Sequence, residues 1–194
     1  MRIKTSIKRR LHGLKKVKWE VRNYDGANFI LNPINYVDRR ICFDGGYEKK
    51  QRDIFLSLVK ETGCRSFIDV GANFGLYSCI VAHKFDDMDI CAFECDRRNY
   101  AHLLGNLRIN EILDRVSTHF VAAGSFNGHV KFAEAGPKNT GSSRVVQNGE
   151  GFVTVEQVRL DDYLNEIRLP CAVKIDVEGG EVGVLEGMDK LLKN

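Results

Sequence analysis

Two short stretches concentrate the residue types that do chemistry. The first is Phe67–Ser78 (FIDVGANFGLYS), in which Asp69 closes an apolar strand-like run and Gly71 and Gly75 span a turn into an apolar helix-like run. Glycines at such a turn lack the β-carbon that keeps a backbone away from a ligand. The G-x-x-x-G spacing has Asn73 where a dinucleotide loop has its middle glycine, and no Lys-Ser/Thr follows as in a phosphate-binding P-loop. An acid beside this loop repels phosphates and suits a ligand that carries a cationic amine. The second stretch is Val173–Glu181 (VKIDVEGGE), which packs four charged side chains into and just beyond an apolar strand. Charges there are costly unless they have partners or a role.

Within the second stretch, Lys174 is expected to pair with a carboxylate. Asp176 is the first candidate for a general base and Glu178 the second. Glu181 opens a helix, where its charge suits the dipole, and reads as structural. Asp176 and Glu178 alone are too few ligands for a divalent cation, so no metal is expected. His129 reads as a surface histidine. The Gly/Asn/Ser-rich loop Gly136–Gly149 is the candidate substrate lid, with Asn139, Ser142 and Ser143 as substrate-binding candidates.

A further acid, Glu94, follows Gly75 by nineteen residues at the end of the run DICAF. A carboxylate at that point accepts the hydrogens of ribose hydroxyls in dinucleotide folds. The competing reading is a cap for the next helix, which Asp96 also fits. Loop and acid together favour a nucleoside ligand without phosphates, a description that S-adenosylmethionine meets.

The elements that must hold these groups alternate. Residues 17–47 read as short strands and turns, and Ile54, Phe55, Leu58 and Val59 mark a helix face ended by Thr62-Gly63. Then come a strand at Ser66–Val70, a helix at Leu76–Lys84 and a strand at Asp89–Phe93. A helix through Tyr100, Leu103, Leu104 and Leu107 and a strand at Val116–Ala122 follow. His129–Ala133 and Phe152–Val158 alternate as strands, Asp161–Ile167 reads as a short helix, Ala172–Val177 as a buried strand and Glu181–Leu192 as a last helix. Alternation of this kind predicts an α/β fold with a parallel sheet covered on both faces, and a site beyond the carboxyl ends of its strands.

The 194 residues suit one domain, and no apolar run approaches a membrane span. The net charge of +3 hides an asymmetry: residues 1–22 carry nine Lys/Arg against one acid, +8, which leaves −5 for the remainder. Ile3, Ile7, Leu11 and Leu14 give that segment a helical apolar stripe, so it reads as a basic arm or amphipathic helix. Peripheral contact with a membrane is open to such a segment. Base-stacking aromatics are absent from it, and no nucleic acid partner is expected. The expected division is an arm at 1–22, strands and a helix at 23–62, and a core at 63–194. Six scattered cysteines without a C-x-x-C pair argue for a reduced, cytoplasmic setting and against zinc.

Taken in order, these stretches resemble the FkbM-type S-adenosylmethionine-dependent methyltransferases, over roughly residues 45–192. The resemblance rests on Tyr47-Glu48, FIDVGANFGLYS, Ala92-Phe93-Glu94, Asn99-Tyr100, and Leu103, Asn106 and Asn110. It continues through Ala122-Ala123-Gly124, Asn139–Ser143, Leu160–Leu164, VKIDVEGGE and Val184–Gly187. It implies a Rossmann-like class I methyltransferase sheet and S-adenosylmethionine as cofactor. By it, Asp69, Gly71, Asn73 and Gly75 hold the methionine part, Glu94 the ribose, with Cys95 and Ala123 as further cofactor contacts. Asp176 and Glu178 face the transferred methyl, and the acceptor is a hydroxyl on a sugar or secondary metabolite. The fold normally continues past the last helix, so strands five to seven are expected to be missing here. Ala172–Val177 then forms an open edge suited to self-association. Two other readings remain: a truncated, non-catalytic binding or scaffold module, and an NAD-dependent oxidoreductase, which the missing middle glycine disfavours.

Overall fold

The computed structural model describes residues 19–146 and 152–193. The basic stripe at residues 3–14 lies outside the described residues. The other end of the expected arm, Glu20–Arg22, falls inside the first strand.

Strands β1 (Glu20–Tyr24) and β2 (Ala27–Leu31) form an antiparallel hairpin. Helix α1 (Tyr36–Phe43) follows, where short strands and turns are expected from sequence. Its aromatic and β-branched start reads as strand, but Asn35 caps it by accepting a hydrogen bond from the Val37 amide at 3.1 Å. Helix α2 (Lys49–Thr62) leads into the central layer.

That layer is a parallel sheet of β3 (Ser66–Val70), β4 (Asp89–Phe93), β5 (Val116–His119) and β10 (Cys171–Ile175), in the order β10-β3-β4-β5. Strand β3 is buried at all five positions because both faces are covered. Phe67, Ile90 and Ala92 face a cluster with Phe29, Val59, Ile80 and Leu107. Ile68, Val70, Cys91 and Phe93 face the opposite cluster with Leu160, Val184 and Met188. The period of two thus splits one core between helices α3 (Leu76–Lys84) and α4 (Arg97–Ile109) on one side and α5 (Glu181–Glu186) on the other. The β1–β2 hairpin and helix α1 share the first cluster, so residues 23–62 pack as part of the core layer. Asn106 and Asn110 fix the hairpin by accepting from the Ile30 and Asn28 amides, each at 2.8 Å.

A second sheet of order β6-β9-β7-β8 holds β6 (Ala122–Ala123), β7 (Gly128–Ala133), β8 (Arg144–Val146) and β9 (Val153–Val158). The expected strand Val116–Ala122 is therefore two, since the chain leaves one sheet after His119 and pairs with β9 from Ala122. The last expected helix stops at Glu186. Gly187 sits so close to the Gly124 carbonyl that a β-carbon would lie 1.9 Å from it, and its own carbonyl accepts from the Asp161 amide. Strand β10 has β3 as its one neighbour among the described residues, the open edge expected from sequence. No described helix is long and apolar enough to cross a membrane.

Asp38, in the first turn of α1, is 1 % exposed. One carboxylate oxygen accepts from the Asn32 amide at 2.7 Å and the other has no hydrogen-bond partner. Burial pushes its pKa up to about 7, against the pull of backbone amides at Asn32 and Asp38. Between about pH 4 and 7 the folded state holds a proton that the unfolded state has released, so this stability is full at low pH and lost as pH rises through 7. Asp38→Asn keeps an acceptor for Asn32 without the charge. It should raise Tm at about pH 8 and change it little at about pH 4. Thermal melts at both pH values check this, and an equal change at the two would reject it.

Candidate cofactor and active site

The carboxyl ends of β3, β4 and β10 meet at two adjoining clefts. The first, of about 290 Å³, runs from Gly71 and Asn73 past Glu94 and Cys95 to Ala123 and Ser143. The second, of about 180 Å³, is walled by Tyr36, Tyr47, Glu48, Tyr77, Lys174 and Glu178. Gly71, Asn73, Gly141 and Asp176 line both, so the clefts meet at these four residues.

The loop after β3 is held by the end of β4. The amides of Gly71 and Ala72 donate to the Phe93 carbonyl at 2.9 and 3.0 Å. The Asn73 amide donates to Glu94 at 2.7 Å, and the Asp96 amide donates to the other Glu94 oxygen at 2.7 Å. Glu94 is therefore a strap for two turns and, with its remaining lone pairs, an acceptor at the cleft wall. Burial pushes its pKa up to about 7, opposed by those two amides.

Asp69 is fully buried and lines neither cleft. Its Oδ2 accepts from the Ser78 amide at 3.2 Å and from the Ser78 hydroxyl at 2.7 Å, and its Oδ1 lies 3.4 Å from the Lys174 ammonium. Asp69, expected as a cofactor contact, therefore stands behind the loop rather than at a cleft wall. Lys174 also donates to the Gly71 carbonyl at 3.1 Å and lies 3.7 Å from Asp176. The carboxylate pairing expected for Lys174 is present twice. Gly75 also lies outside the clefts; it starts α3 at φ +83°, with Leu103 packed where a β-carbon would go.

Asn139 lines the second cleft, Ser143 the first and Ser142 neither. Ser143 donates to Asp96 at 2.8 Å, and the Ser142 hydroxyl donates to the Asn139 carbonyl at 3.0 Å. The described part of the loop is tied down at Thr140, whose hydroxyl accepts from Asn35 at 2.6 Å. Sequence reasoning missed Tyr36 and the wall role of Lys174. It placed Tyr47-Glu48 in the family pattern without a site role. Of the five non-glycine residues with positive φ among the described residues, Glu48, Asn73 and Glu178 line the second cleft. Such strain persists where surrounding contacts enforce it, and it gathers at ligand sites. Only backbone geometry reveals it.

A sequence profile of the methyltransferase FkbM domain matches residues 69–194. The chain belongs to that family. It is 29 % identical to a hexuronic acid methyltransferase, AglP, of Haloferax volcanii, over 65 % of this chain and 51 % of that protein. It is 28 % identical to methyltransferase sdnD of Sordaria araneosa, over 63 % of this chain and 60 % of that protein. The chain thus spans about half to three-fifths of the length of these relatives. The crystal structure of methyltransferase FkbM from Methylobacillus flagellatus KT matches 66 % of this chain and 30 % of its own, at 20 % identity and a TM-score of 0.46, too partial a likeness to carry an argument. The family uses S-adenosylmethionine, and the residues here fit it. Gly71 brings its backbone to the wall of the first cleft, Glu94 offers a carboxylate for hydroxyl donors, and no basic side chain among those lining that cleft calls for a phosphate.

Gly71 is confined by the protein itself. At φ +73° its added β-carbon would lie 2.0 Å from the Asp176 carbonyl oxygen. A larger side chain at this position, such as valine, would collide with the chain that leaves β10 and so disturb the fold itself. Gly71→Ala should already lower Tm by several degrees, the scale of a loss of about 1–2 kcal/mol. It should also displace Asp176, and an unchanged melt would overturn this reading. Glu94→Gln should weaken S-adenosylhomocysteine binding about tenfold or more, on the scale of one hydrogen bond to a charged group. Titration calorimetry measures it, with a melt to register the loss of one of the two amide straps, since glutamine keeps a single acceptor oxygen.

Proposed function

We propose that the chain holds S-adenosylmethionine in the first cleft and takes a hydroxyl-bearing acceptor, a sugar or a secondary metabolite, in the second. The observation that carries this is the junction: Asp176 lines both clefts, so one carboxylate faces cofactor and acceptor together. When bound, the cofactor supplies an electrophilic methyl on a sulfonium. The protein's own share is alignment and proton removal. Gly71, Asn73 and Glu94 fix the cofactor side, and holding two reactants in line is worth up to about 7–11 kcal/mol of barrier.

Asp176, its side chain 55 % exposed, is reachable by the acceptor and takes the hydroxyl proton; Glu178, on the rim of the second cleft, is the reserve base. Lys174, between Asp69 and Asp176, keeps the carboxylates in place. The second cleft supports a polyol acceptor through its mix of aromatic rings and polar groups, with Tyr36 and Tyr47 edge to face at 6.3 Å. The Haloferax relative is a hexuronic acid methyltransferase, which supports the sugar class. The six free cysteines support a reducing, cytoplasmic location. The scaffold reading predicts cofactor binding without turnover, and the oxidoreductase reading predicts NAD binding in place of S-adenosylhomocysteine.

Asp176→Asn keeps the shape at the junction and removes the basicity. In a preparation that transfers methyl groups, turnover should fall about a hundredfold or more, the usual scale of general base catalysis. S-adenosylhomocysteine affinity should stay nearly constant. Methyl-transfer assays with calorimetry read both quantities, and loss of affinity alone would make Asp176 a binding residue.

A further inference from the structure

Away from both clefts, on the Leu160–Met188 side of the sheet, three ligand-type side chains converge. Cys91 comes from β4, His119 from the end of β5, and Glu166 from the end of the short 3-10 helix Leu160–Glu166. The Cys91 sulfur, a His119 nitrogen and a Glu166 oxygen all lie within 4.8 Å of one another. The His119 Nε2 is 3.3 Å from Glu166 Oε2, and the Cys91 Sγ is 4.0 Å from the same oxygen.

Nε2 is buried and has no hydrogen-bond partner, so its approach to Glu166 lacks hydrogen-bond geometry. Two ligand atoms on one tetrahedral ion behave in this way: zinc–ligand bonds of about 2.0–2.3 Å place nitrogen and oxygen about 3.3 Å apart and sulfur and oxygen about 3.5 Å apart. The ring is held for the role, stacked on Phe93 at 4.6 Å and met edge-on by Tyr163 at 4.6 Å. Cys91 and Glu166 also border an open cleft of about 480 Å³ that shares no residue with the two described above. Asp86, Asp87, Asp89 and Asp114 line it against Arg115, and Arg168 pairs with Asp87 and Asp89, so the carboxylates still outnumber the cations and leave a negative bias suited to a cation.

We propose that Cys91, His119 and Glu166 form a binding site for a divalent transition metal ion of the zinc class, with solvent in the fourth position. Thiolate and imidazole select such an ion over magnesium or calcium, and one carboxylate completes three protein ligands. Binding converts the Cys91 thiol to a metal thiolate and releases its proton to solvent. The three ligands are 28 and 47 residues apart in sequence, so no local cysteine pattern announces them. The ion would tie β4, β5 and the 3-10 helix together at the strand end where the His119 carbonyl accepts from the Glu94 amide.

Titration of the chelator-treated 194-residue chain with Co²⁺ tests this. The expected result is one equivalent bound, with tetrahedral-intensity visible bands and a thiolate-to-cobalt charge-transfer band. Cys91→Ala should remove the charge-transfer band, and Cys171→Ser should leave it. Because Cys91 is buried and its variant can fail to fold, Glu166→Gln at the surface gives the second reading. It should weaken Co²⁺ and Zn²⁺ binding about tenfold or more while the metal-free melt stays close to wild type. Zn²⁺ should raise the wild-type Tm by mass action, and less so in Glu166→Gln. Weak octahedral bands without charge transfer would mean adventitious binding to the surface aspartates. That result, a band that survives Cys91→Ala, or no binding at all would overturn the site and leave only a close contact between His119 and Glu166.

Discussion

A fully buried carboxylate governs the arrangement of the site. Asp69 has no access to water; Ser78 holds one of its oxygens, and the other makes no hydrogen bond and has the Lys174 ammonium 3.4 Å away as its counter-charge. Removing one partner from such a pair leaves an uncompensated buried charge, which costs about 3–5 kcal/mol. The pair therefore fixes β10 beside β3 with Lys174 opposite Asp69, the register the sheet shows. From there the same ammonium reaches the Gly71 carbonyl and Asp176. One cation thus sets the loop of the first cleft and the carboxylate at the junction of both.

Gly71 follows from this constraint. With the strand ends drawn together, the backbone after Asp69 passes so close to the Asp176 carbonyl that no side chain fits. The glycine that reads from sequence as an opening for a ligand is equally a requirement of strand-to-strand packing. Both demands fall on one residue because the site lies where β3 and β10 end. Glu94 closes the other side by holding the Asn73 and Asp96 amides, so the loop is bounded by one carboxylate in each neighbouring strand end.

The central layer was legible because its signals are local. Ser66–Val70, Leu76–Lys84 and Asp89–Phe93 have the bounds that their apolar runs predict, since full burial on both faces leaves an unbroken apolar stretch. Asp176, Glu94 and the glycine loop stand at strand ends and could be named from that position. What was not legible depends on distant partners. Helix α1 is set by Asn35 and its packing on the hairpin, the end of α5 by the approach of Gly187 to Gly124, and the break after His119 by pairing with β9. The family resemblance implies that Asp69 and Gly75 hold the cofactor, yet the Asp69 carboxylate is bound to Ser78 and Leu103 packs where a side chain on Gly75 would be.

The wall of the second cleft shows how residues before the sheet enter the site. Glu48 sits at φ +50°, a conformation that costs about 1–3 kcal/mol and persists only where its surroundings enforce it. The enforcement comes from Arg52, which is fully buried, donates to the Tyr47 carbonyl at 2.8 Å and pairs with Asp25 at the turn of the hairpin. Its guanidinium also lies over the Tyr24 ring, and Tyr24 in turn accepts from the Tyr47 amide at 3.3 Å. Tyr77 on α3 then donates to the Glu48 carboxylate at 3.4 Å. The hairpin turn, α2 and α3 therefore act through one buried cation to aim Glu48 at the cleft that the parallel sheet alone would leave open. The first cleft is thus shaped at the sheet ends, whereas one wall of the second is built from Tyr36, Val37, Tyr47 and Glu48, which the buried Arg52 and the hairpin turn hold in place.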